Sequence, residues 1–345
     1  MKKRVLFVVS SILLFIGCSK KQTVNMLTGI SVTDYAGRTV SLEKPAERII
    51  ILADNSFQIV KELDAVDKVV GLDSKTKGCW NLYLMSKTNP ELASLPDLGK
   101  TKSPNYEQII SLNPDLILLK GNKDAADVLQ IKTGIPVAAI VSKSGYDFEI
   151  YSLIGKLLGK DKTAELVIKE LKFQKENLES LLKSVLENEK KSAYIVIQNS
   201  KGNLFRTLKN ADSLALANIS NSAASASKVD EWGFAEVSKE EFLNWNPDFI
   251  FLDSPLSEKA ISKKTLLDND TYRFLSAVKN NQIFVTHSFS CPKDYVFVIA
   301  EAYYYAHIAY PEKLSEKEYR SAINSIFEKT YGIKNYYEEW EKYHQ

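Results

Sequence analysis

The sequence predicts an α/β protein. Two lobes with mostly parallel sheets are joined by one long backbone helix and face each other across a cleft. Three observations predict it. The first is a helical run from Asp161 to Glu189, where Ala164, Val167, Ile168, Leu171, Leu178, Leu181, Leu182 and Val185 recur at three- and four-residue steps. Lys and Glu fill most of its other positions, the pattern of a helix with one buried stripe. No Pro or Gly interrupts it, and Gly159 with Asp161 supplies a break and a cap before it. At 1.5 Å per residue the helix would be about 40 Å long.

The second observation is a repeat. Residues Glu107 to Leu119 and Glu240 to Leu252 align without a gap at one offset, 240 − 107 = 133, and six of thirteen positions are identical. Each copy reads as a helix turn, an Asn-Pro-Asp turn and a short all-apolar strand of the kind buried on both faces. The midpoint of the two copies falls inside the long helix. The third observation is that strand and helix patterns alternate on both sides of that helix, which implies mostly parallel, Rossmann-like sheets.

In chain order, Ile30 to Leu42 alternates around Asp34-Tyr35-Ala36-Gly37-Arg38, a hairpin signal. Arg48 to Ala53 is a buried strand, with Asp54-Asn55-Ser56 as the N-cap region of a helix to Leu63, and Lys68 to Leu72 is a second strand. An irregular segment, Asp73 to Lys102, precedes the first repeat copy, which leads to a helix near Ala125–Thr133 and the strand Val137–Val141. Beyond the long helix come the strand Ala193–Gln198 and the second repeat copy. A helix at Tyr272–Lys279, the strand Gln282–Thr286, a helix from Asp294 to Ala309 and a capping helix from Tyr336 follow. The small-residue stretch Asn218 to Ser227 reads as a loop or a loose helix.

A length of 345 residues, with 26% charged and 45% hydrophobic residues, suits two soluble domains with their own cores. Lys2, Lys3 and Arg4 precede an apolar run from Val5 to Ile16 that ends in Gly17-Cys18-Ser19, a signal-peptide pattern too short to span a membrane comfortably. Removing those three cations takes the net charge from +2 to +2 − 3 = −1. No basic patch with interleaved aromatics supports nucleic-acid binding. The chain divides into a leader (1–18), a polar tether (19–29), an N-terminal lobe (30–160), the backbone helix (161–191) and a C-terminal lobe with C-terminal helices (192–345).

Ligands of parallel sheets sit beyond the carboxyl ends of the strands. That rule nominates Asp54, Asn55, Ser56 and the Asp73–Tyr83 loop in the first lobe, and Asn199, Arg206, Ser254 and the His287–Cys291 loop in the second. Within these segments Trp80, Tyr83, Trp232 and Phe289 could stack on a planar or hydrophobic ligand, while Lys75 and Arg206 could meet negative charge. Arg206 is the better charge candidate, because guanidinium offers two parallel bonds. His287, His307 and His344 have no metal-ligand spacing, and motifs for a nucleophile elbow, P-loop, zincin or dinucleotide site are missing. Cys79 and Cys291, one per lobe, read as buried unpaired thiols, with a disulfide across the cleft or a soft-metal site with His287 as the other options. The Tyr303-Tyr304-Tyr305 run reads as helix packing.

The order of Asp34-Tyr35-Ala36-Gly37-Arg38, Pro45-Ala46-Glu47-Arg48-Ile49-Ile50, the two Glu…Asn-Pro-Asp copies and Ala309-Tyr310-Pro311-Glu312 resembles the helical-backbone (class III) substrate-binding proteins of ABC importers for ferric siderophores, haem and vitamin B12. Leu14-Phe15-Ile16-Gly17-Cys18 resembles a lipobox, which would make Cys18 the lipidated first residue of the mature chain. The resemblance implies a monomeric, lipid-anchored, extracytoplasmic receptor with no cofactor of its own. It implies that Glu107 and Glu240 contact a permease dimer and that a small metal chelate is the cargo. A ferric siderophore or haem leads, with cobalamin or a nickel or cobalt chelate as the alternative. A chelatase-like enzyme on the same scaffold is the remote alternative, and His287 is its only cleft histidine.

Overall fold

The computed structural model describes residues 29–53, 55–140, 146–198, 204–230, 233–253, 261–287, 294–342 and 344. The expected leader and tether up to residue 28, Cys18 included, lie outside them. β1 (Ile30–Thr33) and β2 (Thr39–Leu42) form the expected antiparallel hairpin. Its turn is organised by Asp34, whose Oδ1 accepts from the Ala36 and Arg38 amides, and by Gly37 at φ 74°. The Arg38 guanidinium donates to Asp127, Gln130 and the Val137 carbonyl, which fastens the hairpin to the edge of the first sheet.

The first lobe continues with β3 (Ile49–Leu52), α1 (Ser56–Glu62), β4 (Val69–Leu72), the short helices α2 (Ser74–Gly78) and α3 (Met85–Thr88), and a minimal ladder of β5 (Gly99–Lys100) and β6 (Ser103–Pro104). Then come α4 (Tyr106–Ser111), β7 (Leu116–Leu119), α5 (Lys123–Thr133), β8 (Val137–Ala139) and α6 (Glu149–Leu158). The sheet order is β4-β3-β7-β8, all parallel.

After α7 (Asp161–Leu182), the second lobe has β9 (Ser192–Val196), β10 (Arg206–Leu208), α8 (Asp212–Leu216), β11 (Ser220–Asn221), β12 (Phe234–Glu236), α9 (Lys239–Trp245), β13 (Phe249–Asp253), α10 (Lys263–Leu267), α11 (Ser276–Lys279) and β14 (Ile283–Thr286). Its parallel sheet has the matching order β11-β9-β13-β14. The helices α12 (Tyr295–Ala309), α13 (Glu316–Tyr331) and α14 (Tyr337–Glu341) close the chain.

The repeat read from sequence is a repeat in space. Asn113 and Asn246 both take the left-handed conformation, at φ 47° and 42°. Asp115 then accepts from the Glu47 and Arg48 amides ahead of β3, and Asp248 accepts from the Ser192 amide and hydroxyl at the start of β9. Each Asn-Pro-Asp turn therefore ties the entry of one central strand to the entry of its neighbour.

The all-apolar strands are explained by two buried faces. In β3, Ile49 and Ile51 face a central core while Ile50 and Leu52 join an outer core with α5. In β13, Phe249 and Phe251 face the same central core and Ile250 and Leu252 a second outer one. The central core runs without a break from the first sheet through α1, α6, α7, α8, α12 and α13 to the second sheet.

Three features differ from the sequence reading. The backbone helix ends at Leu182, not Glu189 or residue 191, which makes it 22 residues and about 33 Å long. Past Leu182 only Val185 is buried, and the Glu189 carboxylate accepts from the Leu186 amide, a local bond that competes with helix continuation. The Gly159 break is the left-handed C-cap of α6, a helix the reading did not anticipate, and α13 is another. The tyrosine run does pack: Tyr303, Tyr304 and Tyr305 are all buried on α12.

Candidate functional site

In the first lobe, α1 carries its N-terminal turn at the carboxyl end of β3. Asn55 is the N-cap, but its side chain makes no capping bond, and both Asn55 Oδ1 and Ser56 Oγ are buried without a hydrogen-bond partner. The next residue, Phe57, has its ring 6.2 Å from Trp80 and 5.5 Å from Tyr83. Trp80 is half-buried, whereas Tyr83 is 2% exposed and belongs to the central core. Lys75 is exposed on α2. Asp73 shapes this loop, because it accepts from the Thr76 amide as N-cap of α2 and from the Thr101 hydroxyl. The structure thus packs Trp80 and Tyr83 against the buried Phe57 ring, with Trp80 alone of the three reaching the surface.

In the second lobe, Arg206 opens β10, and its guanidinium lies 4.1 Å from the centroid of Phe234. It faces Asp230 at 3.6 Å and its cross-strand neighbour Glu236 at 3.7 Å. The guanidinium is therefore already stacked and paired within the protein. His287 is 5% exposed; its amide donates to Glu301 Oε1 and its ring packs 4.2 Å from that of Phe297, with Trp340 stacked beyond. It sits in the packing of the C-terminal helices. Asp54, Asn199, Trp232, Ser254, Phe289 and Cys291 lie outside the described residues. Among the described residues no group of three or more His, Cys, Asp or Glu side chains is placed to hold a metal.

Cys79 is disulfide-bonded, which overturns the reading of it as a free thiol. Its position explains the reading's error. Cys79 ends α2 in a half-buried loop, not in the apolar interior where unpaired thiols collect. The other two cysteines, Cys18 and Cys291, lie outside the described residues.

Glu107 and Glu240 occupy the same place on equivalent helices. Each is the second residue of its helix, behind an N-cap that accepts from the amide three residues on: Asn105 from Gln108, and Ser238 from Glu241. Both are exposed. Glu241, one residue further, is used differently, since it returns a bond to the Ser238 amide and hydroxyl, and these hold its carboxyl below the usual range. Glu240 and Glu107 take no part in the capping bonds of their helices and stay exposed.

The family model described as periplasmic binding protein matches residues 49–288, a span that includes both sheets and the backbone helix. The chain belongs to that family. The binding protein is 23% identical over 262 residues to an uncharacterised ABC transporter substrate-binding lipoprotein of Bacillus subtilis, covering 74% of this chain and 77% of the relative. It is 27% identical over 265 residues to the iron-uptake system-binding protein of Bacillus subtilis, covering 73% and 78%. Among solved structures, the molybdate-bound MolA of Haemophilus influenzae superposes with a TM-score of 0.71 at 20% identity, covering 88% of this chain and 98% of that one.

The binding protein also has a buried polar residue at a strand end that the sequence reading does not single out. Gln198 follows β9 and is 1% exposed; its amide nitrogen donates to the Asp253 and Ile261 carbonyls, and its oxygen accepts from the Ile261 amide. It ties Asp253, the last residue of β13, to Ile261 ahead of α10. An amide closing the apolar run Ala193–Ile197 was the available signal, because a polar side chain at the end of a buried strand needs local partners.

Proposed function

We propose that this protein is the lipid-anchored, extracytoplasmic receptor of an ABC importer, one that captures an iron chelate, a ferric siderophore or haem, and hands it to the permease. Binding is its chemistry. The observation that carries the importer reading is the pair Glu107 and Glu240: one exposed carboxylate at the same helical position on each of two lobes with the same sheet order. A permease of two equivalent subunits would meet such a pair with matching cations. The iron-uptake relative supports the ligand class, and the lipoprotein relative supports Cys18 as the anchor. Within the cleft, Asn55 and Ser56 are the strongest contacts to propose, since their buried oxygens are unpartnered beside the Phe57–Trp80 aromatic pair. Asp54, Lys75, Trp232 and Phe289 complete the proposed lining. Native mass spectrometry of protein recovered from its own cells tests the ligand. A bound iron chelate or haem is expected; cobalamin, a nickel or cobalt chelate, or a bare oxyanion such as molybdate would overturn the ligand class.

A further inference from the structure

Beneath the cleft, two acidic side chains meet in the seam between the lobes. Glu62 ends α1 of the first lobe and Asp294 is the N-cap of α12 in the second; they are 2% and 4% exposed. Their carboxyls are close enough to act on each other, and Tyr331 lies against both. Around them stand Tyr151 from α6, Tyr331 from α13 and Gln58 from α1, all buried, with Tyr295 at the start of α12 beyond Tyr151. None of these carries a positive charge.

Counting hydrogens shows what the cluster lacks. Tyr151 donates its hydroxyl to Glu62 Oε2 at 2.5 Å. Asp294 Oδ1 takes the Phe297 amide at 2.7 Å. The Tyr331 hydroxyl lies 2.7 Å from Asp294 Oδ2 and 2.8 Å from Gln58 Oε1, two acceptors for one hydrogen. Glu62 Oε1 has no donor at all when both carboxyls are ionised. Turning the Gln58 amide over would supply Tyr331 and would still leave Glu62 Oε1 bare. One added proton between the two acids meets the deficit. Two ionised carboxylates buried together in this seam would instead repel at close range.

We propose that Glu62 and Asp294 form a one-proton latch between the lobes: the shared proton fastens the start of α12 to the end of α1, and its loss in alkaline solution loosens that seam. Burial acts in the same direction on both acids, raising Glu62 well above the carboxylate range and pushing Asp294 up to about 7. In the unfolded chain both would ionise near pH 4. The folded protein therefore holds more protons than the unfolded one from about pH 4 up to the folded values, and stability falls as pH rises through that window. The latch is independent of the identity of the cargo, so its test stands apart from the transport reading.

The test uses the full-length protein, wild type against Glu62→Gln, whose amide supplies a permanent hydrogen to Asp294. An infrared difference spectrum of the two at neutral pH should contain a protonated-carboxyl stretch that disappears as wild type is titrated to alkaline pH. Hydrogen exchange at Val296 to Val298 should rise in wild type beyond the pH dependence of the intrinsic rate of an unstructured peptide, by up to about tenfold per pH unit across the titration, and not in Glu62→Gln. A wild-type protein with no protonated carboxyl at neutral pH, or seam exchange with the same pH slope in both proteins, overturns the latch. If Glu62→Gln does not fold, the wild-type infrared titration alone decides: a carboxyl band that persists at neutral pH and vanishes above it supports the latch, and its absence removes it.

Discussion

Replacing Arg206 by Ala separates two roles of one guanidinium. An arginine held free for a ligand would leave the empty protein's stability unchanged. This one stacks 4.1 Å from Phe234 and faces Asp230 and Glu236 at 3.6 and 3.7 Å. A partly exposed cation–π contact contributes about 0.5–1 kcal/mol. Each long, half-exposed ion pair contributes about 0–1 kcal/mol, discounted for solvent screening. Arg206→Ala should therefore cost about 1–2 kcal/mol, read as a lower urea midpoint with an unchanged slope. High salt should recover little of the difference, because it weakens the ion pairs and leaves the stacking. Arg206→Lys should fall between the two, since lysine keeps the charge without the planar fork. A midpoint indistinguishable from wild type would refute the reasoning and return Arg206 to the cleft as a free cation. For an anionic chelate, Asp230 and Glu236 already compete for the guanidinium. The affinity lost in Arg206→Ala should then lie at or below the low end of the roughly 1.5–3 kcal/mol typical of charged hydrogen bonds.

The double variant Glu107→Arg, Glu240→Arg should abolish uptake in cells while the purified protein keeps its ligand affinity, with single reversals milder and the defect deeper at low ionic strength. Normal uptake would remove the docking role. Each reversal also places a cation in the first turn of a helix, so a stability loss of about 0.3–1 kcal/mol apiece should appear in thermal melts. Cys79 should resist alkylation in denatured, unreduced protein and react once a reductant is added; labelling before reduction would contradict its disulfide. Cys18→Ala should release the protein from the membrane fraction or leave its leader uncut, and an unchanged membrane fraction with an unchanged mature mass would rule out lipidation.

The architecture was legible because it is written in repeated, local signals. The Asn-Pro-Asp copies fixed both sheet entries, since a left-handed Asn and a strand-tying Asp act within a few residues of each other. The end of the backbone helix was not legible: Lys183 to Glu189 keep a helical composition, and the helix stops where burial thins out and the Glu189 carboxylate takes the Leu186 amide. The same limit applied at the cleft. Strand-end position nominates Asn55, Ser56, Trp80, Tyr83 and His287 alike, but whether a side chain faces outward or inward depends on its neighbours, and Tyr83 and His287 are packed inside. Arg206 reads as a cation in sequence, while its partners Asp230, Phe234 and Glu236 only meet it through the pairing of β10 with β12. Glu62 and Asp294, more than two hundred positions apart, leave no trace in any local pattern.

The central core is shared by the two sheets through α1, α6, α7, α8, α12 and α13, so neither lobe owns the interior that would let it stand alone. Such a chain should melt as one cooperative unit, with a calorimetric enthalpy equal to the van't Hoff value. A fragment cut within α7 should yield no folded half. Wide hinge opening would tear apolar surface out of that interior, so the large clamshell excursions of hinge-linked receptors are closed to this scaffold. Its adaptation to a cargo is confined to side chains and strand-end segments, over an interior that stays fixed.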